Sequence, residues 1–217
     1  MLVKERMTPN PITITPQTTV ATALQLMRDN KIRRLPVVQG DKLIGIVTDR
    51  DLLEVSPSPA TTLSIFELNY LLAKTKIADI LPKDKKLIII SPDAFVEDAA
   101  LLMRENKIGG IPVVDDGKLV GIITETNIFD TFIDIMGIKQ AGYRITIKLG
   151  EDRPGVLAEI TKAIASCGGN ITHTTSFVNA SGNSIIVFRI NQGDVDSIIS
   201  AINQQGYSVV SVQQTNA

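Results

Sequence analysis

The chain carries an internal duplication in which equivalent residues lie 76 positions apart. Residues 16–52 align without a gap on residues 92–128, and 17 of the 37 aligned positions are identical. Unrelated sequences would share about two at ordinary residue frequencies. The most distinctive pair of stretches is Gly45–Asp51 and Gly121–Asn127. Two similar units are therefore expected, and they should pack face to face about a pseudo-twofold axis because neither covers its own sheet alone.

Each repeat has the pattern of a β-α-β-β-α unit. In the first repeat we expect a short helical turn within residues 3–16, a brief strand at Ile12–Ile14 and a helix capped by Thr18 or Thr19. A strand pair then leads to a last helix near Thr48. The segment Ile77–Ile80 opens the second repeat at an offset of 74, so two extra residues fall in the Lys83–Lys86 run.

The last 75 residues differ from the repeats. Their apolar pattern predicts the order β-α-β-β-α-β, which is a ferredoxin-like sandwich of one sheet under two helices. The predicted class is α/β in the broad sense (α+β). The predicted bounds are 1–56 for the first repeat, 57–76 for a connecting loop and helix, 77–136 for the second repeat, 137–142 for a linker and 143–217 for the third domain.

Composition narrows the class of protein. A net charge of −1 gives no electrostatic footprint for nucleic acid. No stretch approaches the ~20 apolar residues of a membrane span. The one cysteine, Cys167, excludes an internal disulfide and fits a reducing compartment. The first residues are charged where a secretory signal would be apolar. A cytoplasmic protein without nucleic-acid or membrane partners is the expectation.

The stretch Gly45-x-x-Thr48-x-x-Asp51 carries the clearest chemistry. It ends a strand and starts a helix, where free N–H groups and the helix dipole favour a phosphate. Thr48 offers a small hydroxyl, and Asp51 offers two acceptor oxygens that match paired ribose hydroxyls. The same residues also fit a capping box, with Thr at the N-cap and an acid three residues on, which needs no ligand.

These motifs resemble known families. The two Gly-x-x-Thr motifs and the repeated Pro-Val-Val strands resemble a tandem pair of CBS domains (a Bateman module). Asp152–Leu157 and Gly168–Ile171 resemble an ACT domain, and the order of the three domains resembles AcuB-like acetoin-utilisation regulators. The CBS resemblance implies an adenine nucleotide (AMP, ADP or ATP), with or without Mg²⁺, as an effector and not a catalytic cofactor. The binding residues it implies are Asn10, Ile12, Arg33, Arg34, Thr48, Arg50, Asp51, Ile88, Ile111, Thr124, Thr126 and Asn127.

The two repeats differ at this motif, so we expect unequal sites. Asn127 replaces the acid, and Gly109-Gly110 replace Arg33-Arg34. The phosphate charge at the second site would then fall to Lys83, Lys85 or Lys86, although this run also fits a solvated loop. The glycines could admit a bulkier base or simply allow close packing.

The ACT resemblance implies an amino acid at a dimer interface. The residues it implies are Asp152, Gly155, Val156, Leu157, Asn170 and Ile171. Gly150 stands where such domains can carry a histidine, which is a departure from the pattern. Asp152 as a helix cap and Gly155 at a close approach are the simpler interpretation. A homodimer or higher homo-oligomer through this domain is also expected, because its sheet has open edges.

Three classes of function follow. The leading hypothesis is a non-enzymatic, allosteric ligand sensor that passes its signal to a partner protein. The second is a structural dimerising adaptor without a small-molecule ligand. The third is a nucleotide hydrolase using Thr124, Glu125 and lysines, but the sequence has no phosphate-binding loop and no metal-ligand cluster. His173 is the only histidine, and it is interpreted as a half-buried strand residue.

Overall fold

The computed structural model describes residues 1–54, 64–82 and 87–216. It divides into two compact units, Met1–Ile128 and Phe129–Ala217. The predicted α+β class is confirmed, since both units combine helices with antiparallel strand pairs. No helix among the described residues is long and apolar enough to cross a membrane.

The first unit contains the two repeats in the predicted order. A 3-10 turn at Val3–Glu5 precedes the first strand. The remaining elements are β1 (Thr8–Pro9), α1 (Val20–Asp29), β2 (Arg34–Gln39), β3 (Lys42–Thr48), α2 (Asp49–Glu54), α3 (Ile65–Lys74), α4 (Ile77–Ile80), α5 (Val96–Asn106), β4 (Gly110–Asp115), β5 (Lys118–Thr124) and α6 (Glu125–Ile135).

Local sequence signals explain where the helices begin and end. The Thr19 hydroxyl accepts a hydrogen bond from the Thr22 N–H at the start of α1, and Asn30 is its C-cap, as predicted. Ser64 and Glu67 form a reciprocal capping box at the start of α3. Such side chains satisfy N–H groups that have no partner within the helix. The predicted loop at 56–61 and Leu63 lie outside the described residues.

The two repeats pair through their hairpins in a symmetric way. Hairpins β2-β3 and β4-β5 share the same register, each with a bulge at equivalent Val-Val steps. Strands β3 and β5 pair where Lys42 lies opposite Lys118. Those two lysines are 76 residues apart, so equivalent positions meet, as a pseudo-twofold relation between the repeats requires.

The segments that precede the two repeats are exchanged. Val3 is fully buried in the core of the second repeat, with Ile90, Val96 and Met103. Its N–H donates to the Ala94 carbonyl. Conversely, Ile77 is fully buried in the core of the first repeat. We call residues 1–10 the first lead-in segment and residues 75–82 the second lead-in segment. Each lead-in segment thus completes the repeat to which it is not adjacent.

One local expectation needs correction. A brief strand was expected at Ile12–Ile14, but only Ile14 forms a bridge, to Val37. The strand of this region is β1, which pairs with β5 at Gly121 and Ile122. The exchange explains the difference, because it carries residues 8–9 to the edge of the second repeat's hairpin.

The second unit contains the predicted ferredoxin-like domain. Its elements are β6 (Gly142–Lys148), α7 (Val156–Ser166), β7 (Ile171–Val178), β8 (Ser184–Ile190), α8 (Val195–Gln204) and β9 (Ser208–Thr215). The four strands lie in the order β7-β8-β6-β9. Ile145, Ile147 and Phe188 on one face of the sheet pack against Ile160 and Ile198 of the helices. Alternation along the strands leaves Arg144, Val187 and their neighbours on the opposite face.

Candidate functional site

A cleft of about 870 Å³ lies within the first unit and is lined by both repeats. Its volume is in the range usual for small-molecule sites. Six predicted nucleotide-binding residues line it: Arg33, Arg34, Thr48, Arg50, Asp51 and Ile88. The other lining residues are Ile44, Gly45, Ile46, Asp49, Leu53, Glu54, Leu81, Pro82, Leu87, Lys107, Ile108, Gly109, Gly110, Pro112 and Glu125.

Thr48 and Asp51 form a complete capping box at the rim of the cleft. The Thr48 N–H and hydroxyl both donate to Asp51 Oδ2, each at 2.7 Å, and the Asp51 N–H donates to Thr48 Oγ1 at 3.2 Å. The capping interpretation is therefore correct. All three of these bonds use only Oδ2, so Oδ1 of the exposed Asp51 carboxylate is left for a further donor.

The Arg34 side chain lies across the two glycines of the second repeat. A Cβ on Gly109 would lie 2.0 Å from Arg34 Nη2, and a Cβ on Gly110 would lie 3.0 Å from Arg34 Cδ. Gly110 is the equivalent of Arg34, so the two positions face each other near the pseudo-twofold axis. Two arginines there would compete for one space. Of the alternatives for Gly109-Gly110, the structure therefore shows close packing.

The electrostatics around Arg34 are mixed. Burial lowers the pKa of its guanidinium, and the charges of Glu125 and Asp49 oppose that effect. The Glu125 carboxylate also lies beside Gly109, at 2.6 Å from the position of a Cβ there. Arg33, Arg50 and Lys107 add three cations to the lining, and the carboxylates are those of Asp49, Asp51, Glu54 and Glu125.

The exchange of lead-in segments decides which residues border Thr48. The Leu81 side chain fills the space beside Gly45, at 2.6 Å from the position of a Cβ. Met7 does the same at Gly121 in the other repeat. Placing Asn10 and Ile12 beside Thr48 was therefore wrong. The Asn10 N–H donates to the Val120 carbonyl of β5, and residues 81–82 and 87–88 take the predicted place.

The predicted residues of the second motif do not line this cleft. Thr124 and Asn127 repeat the capping geometry, with the Thr124 N–H and hydroxyl donating to Asn127 Oδ1 at 2.8 and 2.7 Å. Thr126 is exposed. The Ile111 side chain is fully buried in the core, so the prediction that it contacts a ligand through its side chain was wrong. Lys83, Lys85 and Lys86 lie outside the described residues.

Several lining residues were missed from sequence. Lys107, Asp49 and Ile44 were not among the candidates, and Glu125 was considered only for hydrolysis. The usable signal was the change of offset from 76 to 74 between the lead-in segments and the repeats, since it marks them as separable pieces. The described residues contain no group of three or more His, Cys, Asp or Glu side chains that could hold a metal ion.

The candidate amino-acid residues lie at the start of α7 and of β7. Val156 is buried in the domain core, Leu157 is half exposed and Asp152 is exposed. The N-cap of α7 is Gly155, without a side-chain cap, so the idea that Asp152 caps the helix was wrong. Gly155 has a φ of +95° and 3.8 Å or more of clearance, so its backbone angle and not a close approach favours glycine. Asn170 Nδ2 donates to Asn191 Oδ1, and Ile171 packs on the core.

Comparison with known proteins identifies the domains. The CBS domain model matches residues 3–58 and 77–134, together more than half of the chain. The chain belongs to the CBS domain family. The ACT domain model matches residues 143–207, so the predicted order of two CBS domains and one ACT domain is confirmed.

Similar CBS proteins cover up to 64% of this chain. A CBS domain-containing protein of Dictyostelium discoideum is 36% identical over 138 residues, 63% of this chain and 94% of the relative. A Vibrio cholerae structure that carries the name acetoin utilization protein (AcuB) has a TM-score of 0.52 at 31% identity and covers 64% of this chain and 94% of that one.

One similar structure holds a nucleotide. It is CBSX2 in complex with AMP, with a TM-score of 0.50 at 33% identity, covering 62% of this chain and 97% of that one. CBSX2 is a chloroplastic protein of Arabidopsis thaliana.

Proposed function

We propose that this chain is a regulatory sensor that binds an adenine nucleotide in the CBS cleft and performs no reaction on it. The observation that carries the proposal is the single cleft of about 870 Å³ in which Thr48, Asp51 and Arg34 meet. The complex of the similar CBSX2 with AMP supports the choice of ligand. A structure of the protein MJ0100, with a TM-score of 0.50 at 29% identity, holds 5′-methylthioadenosine and S-adenosyl-L-methionine, which supports the adenosine moiety as the shared element.

The cleft offers a partner for each part of a nucleotide. Ile44, Ile46 and Leu81 provide an apolar surface for a planar base. Asp51 Oδ1 can accept from a ribose hydroxyl while Oδ2 keeps its capping bonds. Arg33 and Arg34 supply forked donors to phosphate, and Lys107 supplies a point charge.

The cleft also gives a route from binding to signal. Its walls come from both CBS domains and from the exchanged second lead-in segment, so a bound nucleotide would contact all three. A ligand shifts an equilibrium only when it binds two arrangements unequally. The proposal extends to a homodimer, an amino-acid effector at the ACT domain, a protein target and a cytoplasmic location. The single cysteine, typical of a reducing compartment, supports the last of these.

Calorimetric titration of the ligand-free full chain tests the proposal. AMP, ADP, ATP and S-adenosylmethionine are titrated with and without Mg²⁺. The key variant is Asp51→Asn, because Asn127 shows that an amide oxygen keeps the same cap. We expect Asp51→Asn to weaken nucleotide binding by about tenfold or more, as loss of a charged hydrogen bond implies, with little change in melting temperature. The matched control, Asn127→Asp, should leave affinity for this cleft unchanged.

Two outcomes would refute the sensor. Flat heats with every nucleotide, together with an unaltered melting temperature, would leave the structural adaptor as the function. Release of phosphate from ATP with Mg²⁺, lost on Glu125→Gln, would indicate a hydrolase. Recovery of the intact nucleotide after prolonged incubation is the expected result.

A further inference from the structure

Three nitrogen-bearing side chains lie in one row on the ACT sheet. His173 of β7 pairs with Arg189 of β8, and Arg189 pairs with Arg144 of β6. Directly opposed residues of antiparallel strands point to the same side. The alternating Ile145 and Phe188 face the helices, so this row lies on the other face of the sheet.

Arg189 is the central member of the row, and its charge is not compensated. The residue is only 9% exposed, and its buried Nη1 has no hydrogen-bond partner among the described residues. Burial lowers the pKa of its guanidinium, and the neighbouring Arg144 lowers it further. No carboxylate contributes to this shift. A buried cation without a counter-charge is costly, so the arrangement favours uptake of an anion.

His173 and Arg144 flank the buried arginine. His173 Nδ1 is also buried without a hydrogen-bond partner in the described part of the chain. Gly137 lies against the imidazole, since a Cβ there would be 2.4 Å from Nδ1. Met136 Sδ accepts a hydrogen bond from the Thr175 hydroxyl. Residues 136–137 therefore cover one end of the row, which limits the size of anything bound there. Arg144 Nη1 donates to Thr146 Oγ1 on the same face, which fixes its side chain along the strand.

We propose that this row, His173–Arg189–Arg144, is a binding site for a small oxyanion, a carboxylate or phosphate group borne by a small molecule. Guanidinium groups present forked N–H donors that match both groups, and a protonated Nδ1 of His173 would add a third donor. The site is separate from the CBS cleft. It also uses none of the residues at the start of α7 that the ACT resemblance implies.

Thermal melting of the full chain in different anions tests this site. Phosphate, sulfate, acetate and glycine are titrated against chloride at constant ionic strength. We expect at least one oxyanion to raise the melting temperature saturably, by roughly 2 °C or more near ten times its Kd. The rise should vanish in Arg189→Leu and fall several-fold in Arg189→Lys, which keeps the charge but loses the fork. Comparison of phosphate and sulfate with acetate and glycine then identifies the anion class.

Control variants separate this site from the nucleotide cleft. Arg33→Leu removes an arginine from the cleft and should leave the oxyanion response intact. Loss of the response in Arg33→Leu but not in Arg189→Leu would place anion binding in the cleft and overturn the proposal. The absence of any saturable rise would also overturn it. So would a dimer that dissociates on Arg189→Leu and shows no anion response, because the counter-charge would then come from a second copy of the chain.

Discussion

The exchange of lead-in segments makes a quantitative prediction about which half of the CBS pair a mutation destabilises. Val3 and Ile77 are both fully buried, each in the core of the repeat to which it is not adjacent. Val3→Ala removes two methyl groups, worth about 0.8 kcal/mol each, and a cavity term brings the loss to about 2–3 kcal/mol. Ile77→Ala should cost about 2–5 kcal/mol.

Hydrogen exchange measured by mass spectrometry locates the effect. A loss of about 2 kcal/mol raises the population of opened states by up to about 30-fold. Val3→Ala should therefore speed amide exchange in α5, β4 and β5, whereas Ile77→Ala should speed it in α1, β2 and β3. Each variant is the matched control of the other. An opposite pattern, with Val3→Ala opening α1, would refute the exchange and would remove residues 81–88 from the cleft.

Two further predictions concern single side chains. Gly109→Ala places a Cβ 2.0 Å from Arg34 Nη2 and must displace that guanidinium; we expect nucleotide affinity to fall about tenfold by calorimetry with little loss of stability, whereas Gly150→Ala, which meets nothing within 4 Å, should change neither. The bidentate pair with Arg153 holds the pKa of Glu159 below its ordinary 4.5. Its stabilising effect is therefore fully present above about pH 4.5 and is lost as the pH falls through the lowered pKa, so Glu159→Gln should reduce the acid sensitivity of melting between pH 5 and 3. An unchanged acid profile in Glu159→Gln would contradict this assignment.

Local features of the fold followed from the sequence because short-range chemistry decides them. Thr19 and Asn30 bound α1 as predicted, since capping depends on a few adjacent residues. The capping geometry of Thr48 and Asp51 likewise needs only four residues. The unpredicted features depend on distant parts of the chain. Asn10 lies beside β5 and Leu81 lies beside Gly45, and no local signal distinguishes this from the unexchanged arrangement.

The sequence by itself determined the duplication, the family of the domains and the identity of the Thr48 motif. A repeat of 17 identical positions in 37, together with apolar periodicity, is enough to specify two like units and their elements. Only the tertiary structure decided that one arginine lies over two glycines near the axis, that lead-in segments are exchanged, and that Arg189 is buried without a counter-charge. These features arise where residues far apart in the chain compete for the same space or share the same desolvation, and a one-dimensional pattern does not contain those distances.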